Sequence, residues 1–148
     1  MQVKTRLLGT EETIEVSDEQ VFAFDPPLGG FESLRRFVLI TDEESPVEWL
    51  QSVDDAEVAF ALLEPFLFEP DYAFELPDGD AADLGMEGPD DGFVRCILTL
   101  RDDPDEITAN MLAPLLFSRR SHLVRQIVLQ DSGQPLRRPI LSSVALAA

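Results

Sequence analysis

The dominant pattern along the chain is an alternation of apolar and polar residues over short stretches. A period of two over about four to eight residues is typical of strands with one buried face. Strands are predicted in eight stretches, most of them alternating and some, such as 36–40, continuous apolar runs, at residues 3–7, 13–16, 20–24, 36–40, 48–53, 58–63, 93–100 and 124–129. The pattern therefore indicates an all-β chain.

Helical spacing is weak, and turn residues separate the predicted strands. Residues 78–85 favour one short helix that ends at Gly85, whereas Pro114 interrupts any helix in the apolar stretch 108–117. Residues 25–30, with two prolines and two glycines, predict a turn. Many short strands between such turns indicate a compact, barrel-like or sandwich-like antiparallel domain with at most one or two short helices.

The length of 148 residues suits a single domain. We expect one β domain over residues 1–131, followed by a loosely held C-terminal tail over residues 132–148, which contains Pro135 and Pro139. The apolar fraction of 45%, with ten Phe, is enough for a true core. No apolar run is long enough for a membrane span, no signal segment begins the sequence, and one cysteine fits a reducing compartment. We therefore expect a cytoplasmic protein.

Charge changes this picture because it is both large and unevenly placed. The net charge is −18; residues 37–94 hold 17 acids and no Lys or Arg, while residues 107–148 hold five Arg and one acid. Such a chain is repelled by phosphate, so we expect no direct nucleic-acid binding and no membrane binding. A basic protein is the natural partner, although acidity that only maintains solubility explains the composition equally well.

Few residues offer catalytic or metal-binding chemistry. Cys96 lies in an apolar strand, which predicts a buried structural thiol, and His122 lies in a predicted turn, which favours the surface. The acids at 78–80 and 90–91 lack the spacing of an EF-hand, and no phosphate-binding glycine loop is present. We therefore expect no catalytic residues, no metal, no cofactor and no enzymatic activity.

Three groups of segments, taken in order, resemble one protein family, the flagellar assembly factor FliW. They comprise residues 24–32 and 34–40, residues 44–55 and 59–60, and residues 107–115 and 125–129. Gly30 and Phe31 keep the ending of the family's usual Gly-Leu-Pro-Gly-Phe loop, whereas Pro27 and Gly29 replace its first Gly and its Pro.

The resemblance implies a compact, barrel-like, cytoplasmic protein that is monomeric on its own. It also implies function through protein binding: FliW proteins bind the translational repressor CsrA, which relieves repression of flagellin messenger RNA, and they bind flagellin as a chaperone-like partner. Flagellin that occupies FliW leaves CsrA free to repress. The resemblance therefore predicts a switch between CsrA and flagellin.

Ten residues are expected to contact a partner, namely Leu28, Gly30, Phe31, Glu44, Glu48, Asp54, Asp55, Asn110, Leu112 and Pro114. Phe31 is also expected, with Phe37 and Trp49, to belong to the core. Asn110 is expected either to hold neighbouring backbone or to cap a partner's strand. Pro114 favours a sheet edge, where a partner segment could add a strand.

Two other function classes fit part of the sequence. An acidic nucleic-acid mimic that fills the basic groove of an RNA- or DNA-binding protein requires only the charge. A carboxylate enzyme requires a concave site in which the pKa of a carboxyl group is raised.

Overall fold

Strands dominate residues 1–140, the part of the chain that this computed structural model describes. The short helix α1 spans Asp78–Asp83, and single 3₁₀ turns lie at Asp18–Gln20, Pro65–Leu67, Pro89–Asp91 and Pro104–Glu106. The strands are β1 Gln2–Thr5, β2 Glu12–Glu15, β3 Val21–Phe24, β4 Arg36–Asp42, β5 Ser45–Ser52, β6 Ala59–Leu63, β7 Gly92–Thr99, β8 Thr108–Ala109, β9 Leu115–Ser118, β10 Leu123–Gln126 and β11 Arg138–Pro139.

Seven strands close into a barrel in the order β7-β6-β5-β4-β3-β10-β9, with β9 pairing back onto β7. The prediction of an all-β barrel with few helices is confirmed. Every neighbouring pair is antiparallel except β3 and β10, which run parallel with Leu123 opposite Ala23 and Val124 opposite Phe24. Parallel neighbours cannot be joined by a tight hairpin, and here most of the barrel lies between them in sequence.

The barrel closes through one long bulged segment, residues 108–118. Its two ends, β8 and β9, both pair with β7; the N–H of Asn110 still donates to the carbonyl oxygen of Ile97 at 2.9 Å, and residues 111–114 leave the ladder. The carbonyl oxygens of Pro114 and Leu112 accept the backbone N–H groups of Ile127 and Leu129 at 2.9 and 2.8 Å. The prediction that Pro114 marks an open edge is therefore wrong, because a bulge also tolerates a residue without an N–H group.

The N-terminal strands β1 and β2 form a hairpin outside the barrel. Val3 and Val16 pack on Val38 of β4, and all three are almost fully buried. At the end of β1, the Thr5 hydroxyl donates a hydrogen bond of 2.6 Å to Oε1 of Gln51. The hairpin is thus held by a small apolar cluster and by one buried polar contact.

Gln51 lies at the centre of a buried polar network. Its Nε2 group lies within hydrogen-bonding distance of the carbonyl oxygens of Ser52 and Asp55, both at 3.1 Å, and of Val58 at 3.2 Å. The Gln51 side chain is completely buried, so no solvent water can take over its hydrogen bonds to Thr5 and to the carbonyl oxygens. One amide therefore connects the turn between β5 and β6 to the N-terminal hairpin.

Two large clusters fill the interior. The first is rich in phenylalanine, with Phe24 edge-on to Phe37 at 5.4 Å between ring centroids. The second surrounds Cys96, whose sulfur lies 3.5 Å from that of Met111. Burial raises the pKa of the Cys96 thiol to about 12, and the predictions of buried Phe37 and Cys96 are confirmed.

His122 departs from its predicted surface position. It adopts a left-handed backbone conformation with φ of 58° in the turn before β10. Its ring is half-buried and stacks on Phe22 at 4.9 Å, and its Nδ1 lies 3.0 Å from the carbonyl oxygen of Val21. The imidazole ring of His122 therefore packs against the phenylalanine cluster around Phe22.

The C-terminal part of the described chain returns to the barrel. Arg138 and Pro139 pair with β8, Arg138 also forms an ion pair with Glu69 at 2.8 Å, and Ile140 is completely buried. Residues 141–148 lie outside the described residues. The boundary at residue 131 and the loosely held tail therefore stay predictions.

We expect Gln51→Leu to lower the free energy of unfolding by about 2–3 kcal/mol, because it leaves the Thr5 hydroxyl and several turn carbonyls without partners. Urea denaturation followed by Trp49 fluorescence measures the change. The control is Gln2→Leu at an exposed position of β1, for which we expect a change within about 0.5 kcal/mol. Equal effects of the two substitutions would contradict the role of the network.

Candidate protein-binding surface

The ten predicted contact residues fall in three separate places on the barrel. Leu28, Gly30, Phe31, Asp54 and Asp55 lie at the end where β3 leads into β4 and β5 into β6, which we call the loop end. The acids Glu44 and Glu48 lie towards the opposite end, where β4 turns into β5, which we call the hairpin end. The remaining residues, Asn110, Leu112 and Pro114, lie in the bulge between β8 and β9.

The loop end is a well-packed turn. Gly30 has φ of +87°, a conformation that favours glycine, and its N–H donates to the Glu32 carboxylate at 3.1 Å. The half-buried Phe31 ring stands edge-on to Phe60 at 5.1 Å. Leu28 is only 6% exposed, so it supports the loop from inside. These contacts fix the conformation of the loop, and they leave Gly30 and one side of Phe31 exposed to solvent.

The acids of the loop end have basic neighbours. Asp54 lies 3.8 Å from Arg36, and Glu57 lies 3.9 Å from Arg6. The Asp55 side chain accepts the N–H of Glu57 at 3.0 Å and so shapes the turn. Part of the negative charge here is therefore neutralised locally.

The hairpin end contains both paired and unpaired acids. Glu48 forms an ion pair with Arg95 across β6, and both side chains are more than four-fifths buried. Glu44, with Asp42 and Glu43, is fully exposed at the tip of the β4–β5 hairpin. Within residues 1–140, no Lys or Arg nitrogen lies within 4.0 Å of these three carboxylates.

The bulge is fixed by its own asparagine. Oδ1 of Asn110 accepts the backbone N–H groups of Leu112 and Ala113 at 3.1 and 3.0 Å. The structure thus shows the first alternative for Asn110, an amide that holds neighbouring backbone. Pro114 is buried, and Leu112 is half-buried. Their predicted contact with a partner stays a prediction.

A groove that sequence reasoning missed lies beside the hairpin end. It runs between the β1–β2 hairpin and the β4–β5 hairpin and has a volume of about 370 Å³. We call it the hairpin groove. Its apolar lining consists of Leu7, Leu8, Ile14, Ile40, Val47 and Trp49. The one available signal was Leu7-Leu8 at the end of a short strand, where turn residues are usually polar.

Two carboxyl groups, those of Glu32 and Asp91, have lowered pKa values. Hydrogen bonds from the backbone N–H groups of Glu32 itself and of Gly30 lower the pKa of the Glu32 carboxyl group. The N–H groups of Glu87 and Gly88, with Arg120 nearby, lower the pKa of Asp91. Both shifts run opposite to the raised pKa that an acid catalyst requires.

Residues 1–140 contain no group of three or more His, Cys, Asp or Glu side chains placed to hold a metal ion. Over the same residues no helix is long and apolar enough to cross a bilayer, and α1 itself has six residues.

The sequence of this barrel matches a known family along nearly its whole described length. A sequence model of the FliW protein family matches residues 3–140. The chain belongs to the FliW family. The resemblance expected from the three ordered groups of segments is therefore confirmed.

Relatives and a solved structure of FliW agree with this assignment. The flagellar assembly factor FliW of Caldicellulosiruptor bescii is 36% identical, covering 91% of this chain and 87% of the relative. That of Bdellovibrio bacteriovorus is 38% identical, covering 88% and 75%. A crystal structure of the flagellar assembly factor FliW superimposes with a TM-score of 0.85 at 29% identity, covering 94% of this chain and 96% of that one.

We expect Asn110→Ala to lower the free energy of unfolding by about 1–2 kcal/mol, because two backbone N–H groups of the bulge lose their acceptor. Asn110→Asp keeps an acceptor oxygen in the same place and should lose much less. Chemical denaturation of the two variants measures the difference. An Asn110→Ala variant as stable as the wild type would show that the side chain does not hold the bulge.

Proposed function

We propose that this FliW-family protein regulates flagellum assembly by binding two proteins in turn, a CsrA-type translational repressor and flagellin. Binding of the repressor relieves repression of flagellin messenger RNA. Binding of flagellin occupies the protein and leaves the repressor free. The observation that carries this proposal is the FliW-family match over residues 3–140, together with the FliW-like barrel.

The charge distribution supports a basic partner. A repressor that holds RNA needs a positively charged surface, and residues 37–94 of this chain carry 17 acids without one Lys or Arg. Among residues 1–140, no Lys or Arg nitrogen lies within 4.0 Å of the exposed acids at the tip of the β4–β5 hairpin, whereas Asp54 and Glu57 of the loop end have Arg36 and Arg6 nearby. The hairpin end is therefore the more attractive surface for a basic protein.

The remaining features of the proposal follow the same family. The protein acts in the cytoplasm, is monomeric before it meets a partner, has a chaperone-like role towards flagellin and catalyses no reaction. The barrel supplies a rigid surface for such a role, since its loops are fixed by hydrogen bonds of their own, as at Gly30 and Asn110.

We expect the purified protein to bind CsrA and flagellin separately, and flagellin to release CsrA from the complex. Size-exclusion chromatography and calorimetric titration at moderate salt test both statements. Bovine serum albumin, which is itself acidic, serves as a control for non-specific capture by CsrA. Failure to bind either protein would refute the proposal, and binding of both without exchange would refute the switch.

The excess of acids favours a second candidate, a decoy that imitates nucleic acid in the basic groove of its partner. The two mechanisms differ in competition. RNA in excess displaces a decoy, because both occupy one groove. An antagonist that binds elsewhere on CsrA remains bound, so titration of the complex with target RNA separates the two candidates.

We expect association with CsrA to slow about tenfold or more between low and high ionic strength, because unpaired surface acids steer the encounter. Stopped-flow measurements at several salt concentrations give the rates. Dissociation should change much less, since it depends on close contacts. An association rate that is independent of salt would contradict a steering role for the acids of residues 37–94.

A further inference from the structure

We propose that the hairpin groove is the docking site for a segment of the basic partner that carries apolar side chains flanked by Lys or Arg. This inference rests on the proposed function, because it assigns a place on the barrel to one of the two expected partners. It concerns the groove between the β1–β2 and β4–β5 hairpins, which contains none of the ten residues expected from the sequence.

The groove presents an apolar surface that the fold leaves without a partner. Ile14 and Ile40 border the small cluster beneath the N-terminal hairpin, and Trp49 borders the cluster around Cys96. All three remain half-buried, with their outer faces turned to the groove. An aromatic residue flanked by branched aliphatic side chains is a typical anchor point of a protein interface.

Leu8 is the clearest sign that something covers this groove. Its side chain is 78% exposed, the largest exposure of any large apolar residue in residues 1–140. It lies in the turn after β1 and lines the groove together with Leu7. A segment seated in the groove would bury Leu8 without any rearrangement of the barrel core.

Acids border the groove on both hairpins and give the occupant its charge. Glu12 of β2 and Asp42 of β4 line it directly, and Glu43 follows Asp42 at the tip of the β4–β5 hairpin. Within residues 1–140, no Lys or Arg nitrogen lies within 4.0 Å of any of these three carboxylates. Residues 4 and 6 supply the only positive side chains of the hairpin, and neither lines the groove.

The occupant follows from this combination. Apolar side chains of a partner segment would fill the space against Trp49 and Leu8, while flanking Lys or Arg side chains would reach the acids on both sides. The aliphatic stems of Lys and Arg also cover apolar surface. An RNA-binding repressor needs Lys and Arg side chains to bind RNA, so we assign the groove to CsrA. Flagellin is expected to bind at another surface.

The first test uses Trp49, the only tryptophan in the chain. Excitation at about 295 nm, with the partner's own emission subtracted, reports the surroundings of Trp49. We expect CsrA to shift its emission to the blue as the groove loses water, and flagellin to leave it unchanged. A shift caused by flagellin and not by CsrA would overturn the assignment.

The second test compares matched substitutions. Leu8→Gln should weaken CsrA binding about tenfold. Leu136→Gln, at a leucine that is 54% exposed in another part of the chain, should leave it unchanged. The double substitution Glu12→Gln with Glu43→Gln removes two exposed charges beside the groove and should slow association with CsrA. The matched control, Glu75→Gln with Glu106→Gln, removes two exposed charges elsewhere and should slow it less.

The outcomes separate this inference from the function on which it rests. The assignment of the groove to CsrA would be overturned if Leu8→Gln and the Glu12/Glu43 variant bind CsrA as the wild type does and CsrA leaves the Trp49 emission unchanged. The proposed function would still stand. Loss of CsrA binding by these variants, with flagellin binding intact, would support the groove and show that the variants are folded. No binding of CsrA by the wild type would refute both.

Discussion

Closure of the barrel through the bulged segment 108–118 is the constraint on which the other features depend. One continuous stretch pairs with β7 at both of its ends, and β9 also pairs with β10, so the sheet has no open edge along this seam. Five residues loop out between the two pairings, and Asn110 ties them down. Closure removes free backbone edges along this seam, whereas the β1–β2 hairpin outside the barrel keeps edges of its own.

The two ends of the barrel differ in whether their exposed acids lie near basic side chains. At the loop end, Asp54 and Glu57 lie near arginines, and Phe31 is braced by Phe60. At the hairpin end, Glu48 is paired and mostly buried, but the acids of the hairpin tip have no basic neighbour within the described chain. The negative charge is therefore partly neutralised at the loop end, whereas at the hairpin end it produces an electrostatic field that extends into solvent.

Alternation, with short apolar runs between turn residues, was enough to predict eight strands and the class of fold, because a half-buried strand has a period of two and a fully buried one is continuously apolar. It did not separate β8 and β9, since β8 has only two residues and residues 111–117 are apolar without alternation. Gly30 was predictable from the turn that it forms. The hairpin groove was not, because its lining comes from β1, β2, β4, β5 and a turn that meet only in the folded chain.

Cys96 gives the protein a feature that is useful beyond packing. It is the only thiol, it is completely buried, and its surroundings keep it protonated at ordinary pH. A thiol-specific reagent therefore reacts with it only when the barrel opens around β7, and the labelling rate measures the opening that exposes this strand. Any partner that binds the closed barrel and not the opened one slows this labelling, so a residue far from the surface reports binding through the stability of the fold.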